Sequence, residues 1–264
     1  MDFFQSKFLY GKKQSQFGIF RMPRNTTNCP VVVTIHGGFW KAEYGLEEIV
    51  PLDEDLVRRG YATWNVEYRR IGENGGGWPG TFSDVIDAVN YLAFLKEDFP
   101  LDLSRVVILG HSAGGHLALW LASRWNTKQA DQMGNVLHTS SIKAIISLAG
   151  VSNLEEMWRI ESKGKTSNNV SSFLGGTPEE ASDRYHLASP YELLPLHVRQ
   201  ILVHGGSDQE VPLDLTLGYY KKAIRLADDV GLISDSRSDH FDLIDPFSSI
   251  WLSTADSLKN IINS

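Results

Sequence analysis

The chain has 264 residues, and its 25 Lys and Arg against 32 Asp and Glu leave a formal net charge of −7. A hydrophobic fraction of 42% with 22% charged residues excludes a disordered chain and fits one large globular domain over 1–264. The acidic balance argues against sequence-independent nucleic-acid binding, which needs clustered Lys and Arg.

Short β-branched apolar runs punctuate the chain. The run at 31–35 predicts a buried strand, and so do the runs at 61–66, 105–109, 143–148 and 200–203. A shorter run at 230–233 predicts a last strand. Between them lie helical patterns. Phe82, Val85, Ile86, Val89 and Leu92 share one face, and Leu117, Ala118, Leu119, Leu121 and Ala122 form an apolar helix. Leu213, Leu217, Tyr220, Ile224 and Ala227 predict a further stripe. The C-terminal stripe is Phe247, Ile250, Trp251, Leu258, Ile261 and Ile262, with Pro246 in the first turn. Ser189-Pro190-Tyr191-Glu192 reads as a helix start with a capping serine. Strand–helix alternation means an α/β domain with a mostly parallel sheet, helices on both faces, and ligands outside the carboxyl ends of the strands.

Two polar stretches interrupt this pattern. One is 126–141; the other is 159–172, which reads either as a lid over the site or as a solvated loop. Cys29 is the only cysteine, so no intrachain disulfide can form, and a reducing compartment fits. The N-terminus has no basic region followed by an apolar run, and no stretch reaches the ~18 apolar residues of a membrane span. The expectation is a cytoplasmic monomer or homodimer with no membrane partner.

The strongest chemical signal is Gly110-His111-Ser112-Ala113-Gly114, directly after a predicted strand and directly before a helix. A sharp turn there exposes the Ser112 hydroxyl, and the helix points free N–H groups at a developing negative charge. The second signal is His36-Gly37-Gly38-Phe39-Trp40, where adjacent glycines let the main chain approach a ligand and aim N–H groups at an oxyanion. Phe39 and Trp40 fit either core packing or a pocket wall. His36 reads as a structural loop residue.

A serine nucleophile needs a base and an orienting acid, expected here in the order Ser, Asp or Glu, His. Asp208 lies in the glycine-rich loop after the strand at 200–203, with Glu210 and Asp214 as competitors. His240 follows the last strand and is the candidate base, flanked by Asp239 and Asp242 as alternative acids. His111, His116, His138, His186, His197 and His204 read as structural. In that scheme His240 takes the Ser112 proton and Asp208 fixes the ring tautomer. No Cys-x-x-Cys or His-x-His spacing suggests a metal, and no cofactor is expected.

Together these motifs resemble the α/β-hydrolase superfamily, and more narrowly the esterase/lipase-like group that includes the kynurenine formamidases. Glu67-Tyr68-Arg69-Arg70-Ile71-Gly72 and Gly75-Gly76-Gly77-Trp78-Pro79 are also similar to that group. The resemblance implies an α/β-hydrolase fold with a mostly parallel sheet of about seven or eight strands. It implies Ser112, Asp208 and His240 as a triad and Gly38, Phe39 and Ala113 as oxyanion-hole positions. Phe39 stands where hormone-sensitive-lipase-like enzymes carry glycine, which argues against lipase activity. The implied activity is metal-independent cleavage of small carboxylic esters or aryl formamides through an acyl-enzyme. An aryl-accepting pocket would draw on Phe39, Trp40, Tyr68 and Trp78. The alternatives are an acyl-peptide hydrolase and a non-catalytic ligand-binding protein.

Overall fold

Eight strands form one sheet in the order β1-β2-β4-β3-β5-β6-β7-β8. They are β1 (Phe3–Leu9), β2 (Phe17–Pro23), β3 (Cys29–Ile35), β4 (Ala62–Val66), β5 (Leu101–His111), β6 (Ile142–Leu148), β7 (Gln200–Gly205) and β8 (Val230–Asp235). The computed structural model describes residues 2–124, 142–164 and 168–264. From β4 to β8 every pairing is parallel, as the continuous apolar runs predict. The six predicted strands are all present. The first two were not expected. β1 and β2 form an antiparallel hairpin, and β2 pairs antiparallel with β4. β1 is an edge strand whose residues are only half-buried or exposed, so it carries no continuous apolar run.

The helices are α1 (Val50–Arg58), α2 (Gly80–Asn90), α3 (Leu92–Asp98), α4 (Ala113–Arg124), α5 (Leu154–Gly164), α6 (Asn169–Leu174), α7 (Ser182–Ala188), α8 (Leu213–Arg225) and α9 (Ser249–Asn263). They cover both faces of the sheet. Strand side chains alternate between two cores because successive Cβ atoms point to opposite faces. Val31, Val33, Ile35, Val106 and Ile108 pack with α2, α4 and Tyr219 of α8. Val32, Val107, Leu109, Ile146 and Val203 pack with Leu52 and Leu56 of α1 and with Ile250, Trp251, Leu258 and Ile261 of α9.

Three local expectations are corrected. α9 starts at Ser249 with the Ser248 side chain accepting from Trp251 N–H, so Pro246 stands outside it and Phe247 is 85% exposed. The serine cap, rather than the proline, sets the start. α8 buries Leu215, Thr216, Tyr219 and Ala223, whereas Ile224 is exposed and Ala227 lies past the helix end. The helix carries apolar residues on two sides, and the sheet takes the one bearing Tyr219, whose hydroxyl bonds Gln200 of β7. Ser189-Pro190 forms a turn rather than a helix start. Its Ser189 Oγ accepts instead from the Leu154 N–H at 3.2 Å, capping α5 from outside.

The stretch 126–141, with His138, lies outside the described residues. Of 159–172, the first part belongs to α5 and the end to α6, with 165–167 outside the described residues. Among the described residues no helix is long and apolar enough to cross a membrane.

Candidate active site

β5 ends at His111 and α4 begins at Ala113, so Ser112 alone makes the turn. It sits at φ +54°, a left-handed conformation that costs a non-glycine residue of order 1–3 kcal/mol and holds only where neighbours enforce it. The Ser112 N–H donates to Leu148 O at 2.8 Å, and Ser112 O accepts from His116 N–H at 3.1 Å. A side chain at Gly114 would place its Cβ 2.1 Å from Ile35 O, so only glycine lets α4 seat against β3. The Ser112 hydroxyl has no hydrogen-bond partner among the described residues and faces a cavity of about 300 Å³.

The candidate acid and the candidate base come from the loops after β7 and β8, which pair in parallel. Asp208 Oδ1 accepts the N–H groups of Glu210 and Val211 at 2.8 and 2.9 Å. Its Oδ2 lies 2.7 Å from His240 Nδ1 and 3.3 Å from His204 Nε2. Burial acts to raise the Asp208 carboxyl. The bonds from His204 and His240, the His240 charge and the Val211 N–H outweigh it and hold the group far below the carboxylate range. The competing acids do not reach the ring. Glu210 lines the cavity with no hydrogen bond to His240, and Asp214 is in α8. Asp239 and Asp242 close a turn on each other through main-chain N–H groups.

His240 is buried, and it lines the same cavity as Ser112, though no hydrogen bond joins the two side chains in this arrangement. Such contacts are often long in unliganded sites and tighten when substrate is bound. Burial lowers the His240 ring below its ordinary 6.5. The nearby His111 charge adds to that, and the Asp208 bond opposes it.

Gly38, Phe39 and Trp40 are all left-handed, at φ +89°, +49° and +57°. That tight curl follows directly from the end of β3. The Gly37 N–H is committed to Glu48 Oε2 at 2.6 Å. The N–H groups of Gly38 and Phe39 make no hydrogen bond among the described residues, and that of Ala113, first in α4, has no intrahelical acceptor. Gly38 and Phe39 line the cavity. His36 holds the curl from behind: Nε2 lies 2.9 Å from Glu67 Oε1, Nδ1 2.9 Å from Gly37 O, and the ring stacks on Tyr68.

The aromatic wall differs from expectation. Trp40 is fully buried and stacks on Phe173 at 4.4 Å between ring centroids. Tyr68 is fully buried and donates to His36 O at 3.0 Å. Trp78 packs edge-on against Phe82. These three pack behind the 36–40 loop and in the adjacent core and do not line the cavity, because the left-handed curl sets the Trp40 ring against His116 of α4 and Phe173 of α6. Of the expected aromatics the cavity meets Phe39, together with Tyr44 and Phe241, with Glu48 and Glu210 as its carboxylates. Sequence reading missed Tyr44, Glu48 and Phe241. Phe241 was signalled only by adjacency to His240, and Tyr44 and Glu48 by lying just past the glycine loop. The described residues of 159–172 do not line the cavity either. Among the described residues no cluster of three His, Cys, Asp or Glu side chains suits a metal ion.

Residues 17–222 match the model of the BD-FAE family. The chain is 26% identical over 155 residues to the kynurenine formamidase of Drosophila melanogaster, covering 58% of this chain and 47% of that protein. It is 27% identical over 219 residues to the isoprenylcysteine alpha-carbonyl methylesterase of Arabidopsis thaliana, covering 78% and 49%. The chain thus spans about half the length of the curated relatives it matches. Among solved structures, a truncated carbohydrate esterase from gut microbiota superposes with a TM-score of 0.83 at 19% identity, covering 100% of this chain and 97% of that one. Esterase B of Lactobacillus rhamnosis gives 0.82 at 18% identity, covering 99% and 86%. These likenesses establish the α/β-hydrolase fold. With the family match running from β2 into α8, the chain belongs to the BD-FAE family.

Proposed function

We propose that the chain is a serine hydrolase acting on small carboxylic esters or aryl formamides through an acyl-enzyme. The observation that carries this reading is the 2.7 Å contact of His240 Nδ1 with Asp208 Oδ2, in a ring that shares one cavity with the Ser112 hydroxyl. Asp208 accepts a hydrogen bond from Nδ1–H, which leaves the Nε2 lone pair free to act as a base.

In the first half-reaction Ser112 Oγ bonds to the substrate carbonyl carbon and its proton passes to His240 Nε2. The carbonyl electron pair moves onto oxygen, where the N–H groups of Gly38, Phe39 and Ala113 receive it. Each such donor is worth ~10²–10³ in rate. Collapse breaks the bond to the leaving alcohol or amine, which takes the proton back from His240. Water then repeats the sequence on the acyl-Ser112 ester and releases the acid. A cavity of about 300 Å³ is at the small end of ligand sites, which favours short acyl or single-ring substrates. The name of the formamidase relative fits the single-ring range, and that of the methylesterase relative fits a small leaving alcohol.

The test is labelling with a fluorophosphonate, read by intact mass and peptide mapping, beside turnover of p-nitrophenyl acetate, p-nitrophenyl octanoate and N-formylkynurenine. One phosphonyl group on Ser112, absent in Ser112→Ala, with hydrolysis of acetate faster than octanoate, is the expected result. A folded wild-type protein that neither labels nor turns over any of the three would overturn the reading.

A further inference from the structure

His111, next to Ser112, is fully buried, yet both of its ring nitrogens face acceptors. Nε2 lies 3.1 Å from the main-chain oxygen of His240, which can only accept, so Nε2 carries a hydrogen. Nδ1 lies 3.2 Å from Glu48 Oε1. The other Glu48 oxygen accepts the Gly37 N–H at 2.6 Å. Burial acts to raise the Glu48 carboxyl, but the His111 bond and charge and the Gly37 N–H hold it below its ordinary 4.5. An ionised Glu48 can only accept, so Nδ1 carries a hydrogen as well. A ring with a hydrogen on each nitrogen satisfies both contacts, and such a ring would pair with the Glu48 carboxylate as an ion pair.

Three chain segments meet at this pair. Glu48 belongs to the short 3-10 turn Leu46–Ile49 before α1 and reaches the oxyanion loop through Gly37. His111 belongs to the end of β5 and reaches the main chain of the base loop. Its ring also lies 4.5 Å from the His240 ring, centroid to centroid. The geometry points to Glu48 and His111 as an ion-paired strut that sets the oxyanion loop and the base loop at their working separation. This rests on the serine-hydrolase reading. By holding the Gly37 N–H, Glu48 fixes the curl whose next N–H groups, those of Gly38 and Phe39, face the cavity. By holding the His240 carbonyl, His111 fixes the point from which the base hangs. Both act through other groups and are positioning residues. The strut spans the site, so both ends shift when either partner loses its charge.

The experiment combines a double-mutant cycle with a direct reading of the His111 proton state. Glu48→Gln keeps an oxygen for the Gly37 N–H but removes the charge. His111→Gln keeps a donor for the His240 carbonyl but turns an amide oxygen toward Glu48. Each single change should lower kcat on p-nitrophenyl acetate about 10- to 100-fold, the scale of a small misplacement of reacting groups, while KM moves less than about threefold. The double variant should lose no more than the worse single one, because two neutral amides can pair where a carboxylate and an amide oxygen repel. In the ¹⁵N-labelled wild-type protein at neutral pH, both ring nitrogens of His111 should report a bound proton, with the resonance assigned by its loss in His111→Gln. A folded Glu48→Gln protein with wild-type kcat, single losses that simply multiply, or a His111 ring with one proton would overturn the strut. Should the wild-type protein neither label nor turn over, the serine-hydrolase reading fails, and the ¹⁵N measurement still decides whether the ion pair exists.

Discussion

Asp208 and His240 are separated by 32 positions in the chain and meet at 2.7 Å, Oδ2 to Nδ1. The contact follows from strand order. β7 and β8 are adjacent and parallel, so the loops leaving their carboxyl ends emerge side by side. Ser112 leaves the end of β5, two strands further along the same edge. The parallel sheet thus delivers all three groups to one end of the domain.

Burial and the His111 charge both push the His240 ring below 6.5, against the pull of Asp208. The proposed base works as the neutral ring, so activity is lost as pH falls through its pKa. kcat/KM for p-nitrophenyl acetate should rise with pH along a single limb whose midpoint lies below 6.5, then stay flat through neutrality. A stopped-time assay across that range at constant ionic strength checks this. A midpoint above 7 would contradict the assignment of His240.

Asp208→Asn retains an oxygen for the Glu210 and Val211 N–H groups but turns an amide N–H, in place of a carboxylate oxygen, toward His240 Nδ1. The ring then favours the wrong tautomer, and kcat should fall by ~10⁴. Because the loop bonds survive, the melting temperature should change by only a few degrees. Paired kinetics and thermal unfolding distinguish this from a folding defect.

Gly38→Ala sets a Cβ 2.3 Å from the Tyr44 Cβ at a backbone φ of +89°. The curl must open, and the Gly38 N–H turns away from the oxyanion position. A loss of ~10²–10³ in kcat is expected, the scale of one missing donor. Phosphonate labelling of Ser112 should slow in parallel while substrate KM changes little.

Arg21 of β2 meets Asp53 of α1 at 3.0 Å with both side chains buried, and Thr34 Oγ1 donates to the other Asp53 oxygen at 2.7 Å. Burial raises the Asp53 carboxyl to about 7, with Arg21 and Thr34 opposing it. A folded-state pKa above the unfolded one means the fold binds this proton more tightly. Its contribution therefore declines as pH rises from the unfolded value of ~3.9 through about 7. Arg21→Met should cost about 3–5 kcal/mol near pH 8, where it strands a buried carboxylate. The cost should be smaller near pH 5, where Asp53 holds a proton. Urea unfolding at both values measures the difference, and an equal loss at each would contradict the shift.

Much of the architecture was readable along the chain because buried parallel strands must be apolar on both faces. The six runs from 31 to 233 carry that mark. β1 does not, since an edge strand needs to bury only part of one face, and Gln5 and Lys7 interrupt it; β2 is paired on both sides, but Gly18, Arg21 and Pro23 break its apolar run. The α8 stripe was misread because Leu213 and Leu217 compete at the same helical spacing with Leu215 and Tyr219. Periodicity finds a helix but does not choose between two apolar sides.

The site divides along the same line. The candidate nucleophile, acid and base were visible because each sits in a turn that only certain residues can form, directly after a strand. Position within the chain carries that information. Trp40, Tyr68 and Trp78 lie in or near the motifs and fit either a pocket wall or supporting structure, and they pack behind the cavity. Which aromatic rings face substrate depends on how three left-handed residues curl and on what fills the space beneath them. Glu48 and His111, distant in the chain, acquire their relation only through the fold. The sequence alone placed six of the eight strands and the turns that carry the candidate groups, because local backbone and burial demands act on neighbours. The tertiary structure alone decided which side chains border the cavity and which charges meet, because those are contacts between segments that no local pattern connects.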